Sequence, residues 1–311
     1  MLRYVAGRLI LVIPTVLGMV TIAFFTLRAL PGDPAIAILG EFATEQALQD
    51  LRVTLGLDQP LWVQFGRFVH GLLTGDLGRS AITRQPAMRE VMSVLPPSLM
   101  LAGFSVLIAI MAGLPIGVVS ALRQGSWVDY LLMVVTISGI SFPVFWIGLI
   151  MIVLFAHTIK LFPAVGAGSP GDLISQAHAM VLPAIVLAAG GTAYIARLTR
   201  SAMLEILRQD YMLVAKAMGI RERRILWYGL RNALPPILGV IGVTFAVAIG
   251  NAVLVEVVFS RPGLGSLIIK ATFSRDYQLL QAGLLVLSIS VVLVNLVLDL
   301  LYPLVDPRVR R

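Results

Sequence analysis

Few residues in this chain are of the types that carry covalent or acid–base chemistry. There are three histidines, His70, His157 and His178, and no cysteine. The histidines stand far apart, and no His-Glu-x-x-His pattern joins two of them on one helix face as a zinc site needs. Without cysteine there is no thiolate nucleophile, disulfide or thiolate metal site. The serines lack the Gly-x-Ser-x-Gly turn of a nucleophile elbow. No Gly-x-x-x-x-Gly-Lys-[Ser/Thr] loop exists to cradle a nucleotide's phosphates. No metal site is expected, and a membrane enzyme is disfavoured.

What remains are polar groups set in apolar surroundings. Glu256 and Asp299 fall within or beside long apolar runs, where a carboxylate is a functional candidate by default. Glu256 lies just before the turn 260–265, which suggests that it braces that turn. Asp299 is placed to pair with arginine near an interface. Asn251 and Asn295 can hydrogen-bond between helices. Phe142, Pro143, Phe145 and Trp146 cluster around a proline, and Tyr194 follows Gly190-Gly191. For these aromatics two readings stand: packing around a kink, or the wall of a translocation path.

The elements that position them are apolar helices. The chain is 58% hydrophobic and 13% charged, against about 25% charged in soluble domains. Apolar stretches recur at 9–27, 98–122, 130–158, 180–196, 236–259 and 279–305, each near the ~20 residues that cross a bilayer core. Residues 9–27 are too long for a signal peptide's apolar region and end without a small-x-small site, so they read as an uncleaved first helix. The segment 31–97 is polar, with five Arg against seven Asp and Glu. Its periodicity predicts helices over 44–55, with Thr44 as N-cap, and 61–73. The fold expected is an all-α integral membrane protein of six transmembrane helices. An external helical insertion separates the first and second, and a cytoplasmic loop the fourth and fifth. The segments are then 1–30, 31–97 and 98–311.

The densest charge lies at 197–235, with eight of the 24 Lys and Arg. Counting arginines and lysines over the short loops puts fourteen on one side and four on the other. Positive residues collect inside, so both termini and this loop are expected in the cytoplasm. Nucleic-acid binding is excluded for want of a solvated basic face. Within the loop, Asp210 reads as the N-cap of a short helix 211–218, with Gly219 as its C′ residue. Tyr211, Val214, Ala215 and Met218 share one face, while Ala215, Ala217 and Gly219 lack bulk. A second helix is expected from 221 to 232, stopping before Pro235. Two turns of helix need something to pack on. A partner protein and the bilayer surface both qualify, and the small residues and acidic cap favour the protein.

These residues also carry a resemblance. Asp210-Tyr211 through Ala215-Lys216-Ala217-Met218-Gly219, then Arg223-Arg224-Ile225-Leu226 and Leu230-Arg231-Asn232-Ala233-Leu234, resemble the EAA loop of ABC importer permeases. Leu30-Pro31-Gly32-Asp33-Pro34, Leu55-Gly56-Leu57-Asp58, Gly75-Asp76-Leu77-Gly78 and Pro262-Gly263-Leu264-Gly265 match the first (B-type) permease of the dipeptide, oligopeptide and nickel group. So does the tail Asp306-Pro307-Arg308-Val309-Arg310. Leu213 replaces the Glu that names the loop, and Tyr228 a histidine common in the family. A docking role therefore rests on the small-residue core rather than on a salt bridge there.

The resemblance implies a bacterial inner-membrane importer. Two similar permeases form the pathway, two ATPase subunits bind ATP and magnesium, and an external solute-binding protein delivers substrate. This chain itself would hold no cofactor. It also implies that Asp210, Tyr211, Ala215, Ala217, Gly219, Arg223 and Arg224 meet an ATPase. Phe142, Pro143, Trp146, Tyr194, Asn251 and Glu256 remain candidates for pathway or gate. The family's cargo is peptide, with glutathione and nickel chelates as alternatives. A membrane sensor that merely recruits a soluble protein is the rival of a different class.

Overall fold

A computed structural model describes residues 2–29, 34–40 and 43–305. Among them every regular element is helical, and the β contact present is an isolated antiparallel bridge, Arg79 with Pro86. The helices are α1 Leu2–Ala29, α2 Pro34–Leu39, α3 Glu45–Leu55, α4 Leu61–Thr74, α5 Ala87–Leu122, α6 Trp127–Ser141, α7 Val144–Met151, α8 Leu173–Leu207, α9 Asp210–Ala217, α10 Glu222–Val258, α11 Leu264–Phe273 and α12 Tyr277–Val305. In a bilayer each backbone N–H and C=O must be satisfied within its own segment, so the apolar stretches form helices.

Four helices, α5, α8, α10 and α12, are long and apolar enough to cross a membrane, and α6 with α7 forms a fifth, bent pair. The stretch 130–158 is thus not one span. It breaks between Ser141 and Val144, and the two axes stand 107° apart. The cause is local. Pro143 disfavours the helical region for the residue before it, and Phe142 is extended at φ −101°, ψ 141°. The far end of the pair, Ile152–Thr158, is wound as a π-helix. In α1 the described apolar stretch is Ile10–Thr26.

Two further expectations are corrected. The apolar stretch 180–196 is the middle of the 35-residue α8, so residues 197–207 continue a helix instead of opening a loop. The helix expected to stop before Pro235 does not stop there. It runs through Pro235 and Pro236 as the 37-residue α10. Ala233 and Ile237, on either side of the prolines, are both fully buried against Met203 of α8 and its neighbours. Packing on both sides holds the helix across the missing donors. Asp299 and the tail 306–311 carry no described side chains, and residues 30–33 are outside the described residues.

The chain divides into two compact units. The first comprises Met1–Val5, Leu99–Arg261 and Val294–Arg311. Its close packing is set by glycines of α5. A Cβ on Gly113 would lie 2.9 Å from that of Ile195. One on Gly117 would lie 2.6 Å from the Ala196 carbonyl oxygen. This small-xxx-small spacing lets two membrane helices approach to backbone distance.

The second unit comprises Ala6–Ser98 and Pro262–Leu293. Its core joins Val20, Val91, Leu264, Ile268 and Leu285. The buried Phe24 ring meets Phe25, Phe65 and Phe68. The expected helices near 44–55 and 61–73 are α3 and α4, and the Thr44 side chain accepts from the Ala47 N–H. The Ser80 hydroxyl donates to buried Asp276, which caps α12 by accepting from the Leu279 N–H. Residues near 80 are thereby tied to the chain near 276.

Gly117→Ala should destabilise the first unit by about 1–3 kcal/mol through overpacking. Its thermal unfolding midpoint in detergent should fall. An unchanged midpoint would mean that α5 and α8 part without penalty.

Candidate functional site

The break in the α6–α7 pair opens on a cavity of about 630 Å³. Phe142, Pro143, Tyr194, Thr244 and Asn251 line it, with Gly190 and Gly191 of α8. A Cβ on Gly191 would lie 2.5 Å from the Thr244 methyl, so its absence lets α8 and α10 close one wall. No carboxylate, lysine or arginine is among the lining residues, and the hydrogen-bonding side chains are those of Tyr194, Thr244 and Asn251. Trp146 is not in the lining. It stacks on Phe142, ring centroids 4.5 Å apart, and so backs that wall. The Arg197 guanidinium stands 5.8 Å from the Tyr194 ring.

Glu256 does not line the cavity. It is buried in α10, and its carbonyl accepts from the Arg261 N–H at 2.8 Å. Arg261 is buried too, and its guanidinium donates to the carbonyls of Gly166 and Ala179 at 3.3 and 3.0 Å. Burial draws this guanidinium below its ordinary value, and the charge of Glu256 opposes that shift. The Gly166 N–H also donates to the Phe259 carbonyl. Together these contacts fasten the connection between α7 and α8 to the end of α10.

Further along α8 lies an ion pair. Arg200 Nε and Nη2 donate to the two oxygens of Asp129, at 2.8 and 2.7 Å. Asp129 is 2% exposed. It also accepts from the Ser120 hydroxyl and from the Gly125 N–H. One carboxylate therefore joins the end of α5, the turn after it, α6 and α8. Arg208 adds a hydrogen bond to Gln124.

Just beyond lies α9. Asp210 is its first residue rather than its cap, and the cap position falls on Gln209. An acid in the first turn favours the helix dipole in either place. At the other end Gly219 N–H donates to Lys216 O and Ile220 N–H to Ala215 O. This is the paired termination that needs a left-handed residue, and Gly219 supplies it at φ +75°. Of the helix, Met212 is buried, while Tyr211, Leu213, Val214 and Met218 are exposed apolar side chains. Tyr211, Met212 and Ala215 line a shallow groove with Tyr228, Arg231 and Asn232. Arg223 and Arg224 face a separate one.

The profile of the binding-protein-dependent transport system inner membrane component matches residues 113–311, and that of its N-terminal region matches residues 1–101. The chain belongs to this family. It is 40% identical to the dipeptide transport permease DppB of Alkalihalophilus pseudofirmus over the full length of both chains. It is 39% identical to the glutathione transport permease GsiC of Salmonella typhimurium over 100% of this chain and 99% of that one. Among solved structures, a chain of the MetNI methionine ABC transporter matches with TM-score 0.60 at 20% identity, over 71% of this chain and 98% of that one. That likeness supports the fold. The protein is thus a multi-pass inner-membrane permease of the peptide-type ABC importers.

For the permease, the sequence-derived candidates separate into distinct places. Phe142, Pro143, Tyr194 and Asn251 meet at one cavity. Asp210, Tyr211, Ala215, Ala217 and Gly219 belong to α9 and its end. The Asp129–Arg200 pair was missed, because Arg200 was counted as loop charge. Its signal was the buried stripe Ala193, Ala196, Thr199 running on to Arg200 in helical register.

Arg200→Ala should be strongly destabilising, by about 3–5 kcal/mol, because it strands a buried carboxylate. Asp129→Asn combined with Arg200→Gln should cost less than Arg200→Ala alone. Yield and thermal midpoint of the purified permease are the readouts, and equal losses would deny the coupling of the two groups.

Proposed function

We propose that this permease forms one half of the transmembrane pathway of a peptide importer and is driven through α9 by a partner ATPase. The observation that carries the peptide reading is the end-to-end likeness to a dipeptide permease. An uncharged cavity wall agrees with it, since a pathway for varied side chains gains from having no fixed charge. The apolar stretch of α1, α5, the α6–α7 pair, α8, α10 and α12 supply six crossings. Both termini and α9 then lie in the cytoplasm, and residues 31–97 outside, where they receive a solute-binding protein. A second, similar permease completes the pathway, and two ATPase subunits bind the ATP and magnesium.

The exposed apolar residues of α9 support its docking role. Two helical turns do not persist in water unaided, and here only one face has support within the chain. Ala215 and Ala217 leave room for a partner's surface to reach the backbone. The helices that flank α9, α8 and α10, also wall the cavity, so a push on α9 is delivered to the pathway by two rigid rods. A glutathione importer is the second reading, favoured by the equally complete match to glutathione permeases.

The test is ATP-dependent uptake into proteoliposomes holding this permease, its ATPases, its second permease and its binding protein. Labelled dipeptide should accumulate and be competed by unlabelled dipeptide. Uptake of glutathione without dipeptide selects the second reading, and uptake of neither contradicts both. Gly219→Val forces a β-branched residue into the left-handed region at about 1–2 kcal/mol. Ala215→Asp buries a charge at the contact. Each should cut uptake about tenfold or more, the effect of losing ~1.4 kcal/mol of docking energy, with assembly of the spans preserved. Normal uptake by both variants would show that α9 does not transmit force.

A further inference from the structure

Beside α9, and apart from its groove, lies a second cavity of about 510 Å³. Arg221, Arg223 and Arg224 line it with Trp227, Leu226, Leu230 and Val118. Arg223, Leu226, Trp227 and Leu230 recur at i, i+3, i+4 and i+7, so one face of α10 carries both the charge and the apolar floor. Among the described residues none of the three guanidinium groups has a hydrogen bond or ion pair. Glu222, in the same turn, is exposed and does not line the cavity. Trp227 is 60% exposed. Val118 of α5 lies four residues before Leu122, where that spanning helix ends.

We infer that this cavity binds the phosphate headgroup of an anionic phospholipid, with the three arginines on the phosphate and the acyl chains over Trp227, Leu230 and Val118. Three points favour a lipid. The cluster has three uncompensated cations within reach of one anion. Its floor is apolar, which a free phosphate in water has no use for. It also sits beside the last turn of a spanning helix, and Trp and Arg are the residues that anchor at such interfaces. The inference requires only that α5 and α10 cross the membrane, and not that α9 meets an ATPase.

Full-length permease, purified with the subunits that accompany it, is titrated with dioleoyl-phosphatidylglycerol, dioleoyl-phosphatidylcholine or inorganic phosphate. Bound molecules are counted by native mass spectrometry. Phosphatidylglycerol should bind at one site per chain in preference to phosphatidylcholine, and millimolar inorganic phosphate should not displace it. Arg223→Gln and Arg224→Gln should each weaken binding about fivefold, the contribution of one surface cation to anionic-lipid attachment. Arg221→Gln, Arg223→Gln and Arg224→Gln together should remove it, while the three corresponding lysine substitutions retain most of it. The lysine triple and the single variants keep the test valid if the glutamine triple fails to assemble. Binding unchanged in the single variants, or equal for phosphatidylcholine, overturns the assignment. Displacement by inorganic phosphate makes this a free-anion site and also overturns it. Loss of the ATPase subunits from the arginine variants with lipid binding intact would give the surface to a protein partner instead.

Discussion

A backbone that leaves the helix inside hydrocarbon must find partners for its N–H and C=O groups, because lipid offers none. In this permease that constraint bears on the break between Ser141 and Val144. Irregular backbone at membrane depth is tolerated where it lines a cavity or is covered by protein. Phe142 and Pro143 are in the lining of the 630 Å³ cavity. The Pro143 carbonyl accepts from the Trp146 and Ile147 N–H groups, which closes the first turn of α7. The break and the cavity are therefore one feature. A proline imposes the corner, Trp146 braces it by stacking on Phe142, and the glycines of α8 leave room beside it.

The cavity is walled by two long helices, and the same two frame α9. From Val186, in the cavity wall, to Arg200 is fourteen residues of α8, or about 21 Å of rigid rod. The Asp129–Arg200 pair fixes this rod to α5 and α6 near the end that leads into α9. Burying such a pair adds little net stability. Its value here is in register: a bidentate contact holds the angle between helices that apolar packing alone would leave freer to slide. At the other end, Arg261 holds the carbonyl of Gly166, in the connection before α8, and that of Ala179, in the second turn of α8. The rod is thus clamped at both ends by arginine and packed between by small residues.

Much of this was legible in the residues. Apolar stretches of about twenty residues mark membrane-crossing helices, and α5, α8, α10 and α12 each contain one. Thr44 and Gly219 carried local signals of cap and left-handed turn, and Phe142-Pro143 that of a proline break. What misled was the reading of charge and proline as boundaries. Arg197 and Arg200 looked like the start of a loop, although α8 runs on to Leu207, because a buried aspartate elsewhere in the chain was waiting for one of them. Pro235-Pro236 looked like a stop, although Ala233 and Ile237 are packed on both sides and the helix passes through. In each case a tertiary contact more than seventy positions away, or burial on both flanks, decided the outcome. Local pattern does not report either.

Because the chain has no cysteine, a single introduced thiol can report whether ATPase action on α9 moves the cavity between the two faces of the membrane. Val247 lines the cavity and is half exposed, so Val247→Cys places one thiol in the cavity wall. In the assembled transporter its labelling by a membrane-impermeant maleimide is followed from each side, without nucleotide and with ATP trapped by vanadate. The account predicts reactivity from the cytoplasmic side in the first state and from the opposite side in the second, with the switch lost in Gly219→Val. Reactivity that stays on one side throughout, or that switches normally in Gly219→Val, would contradict it.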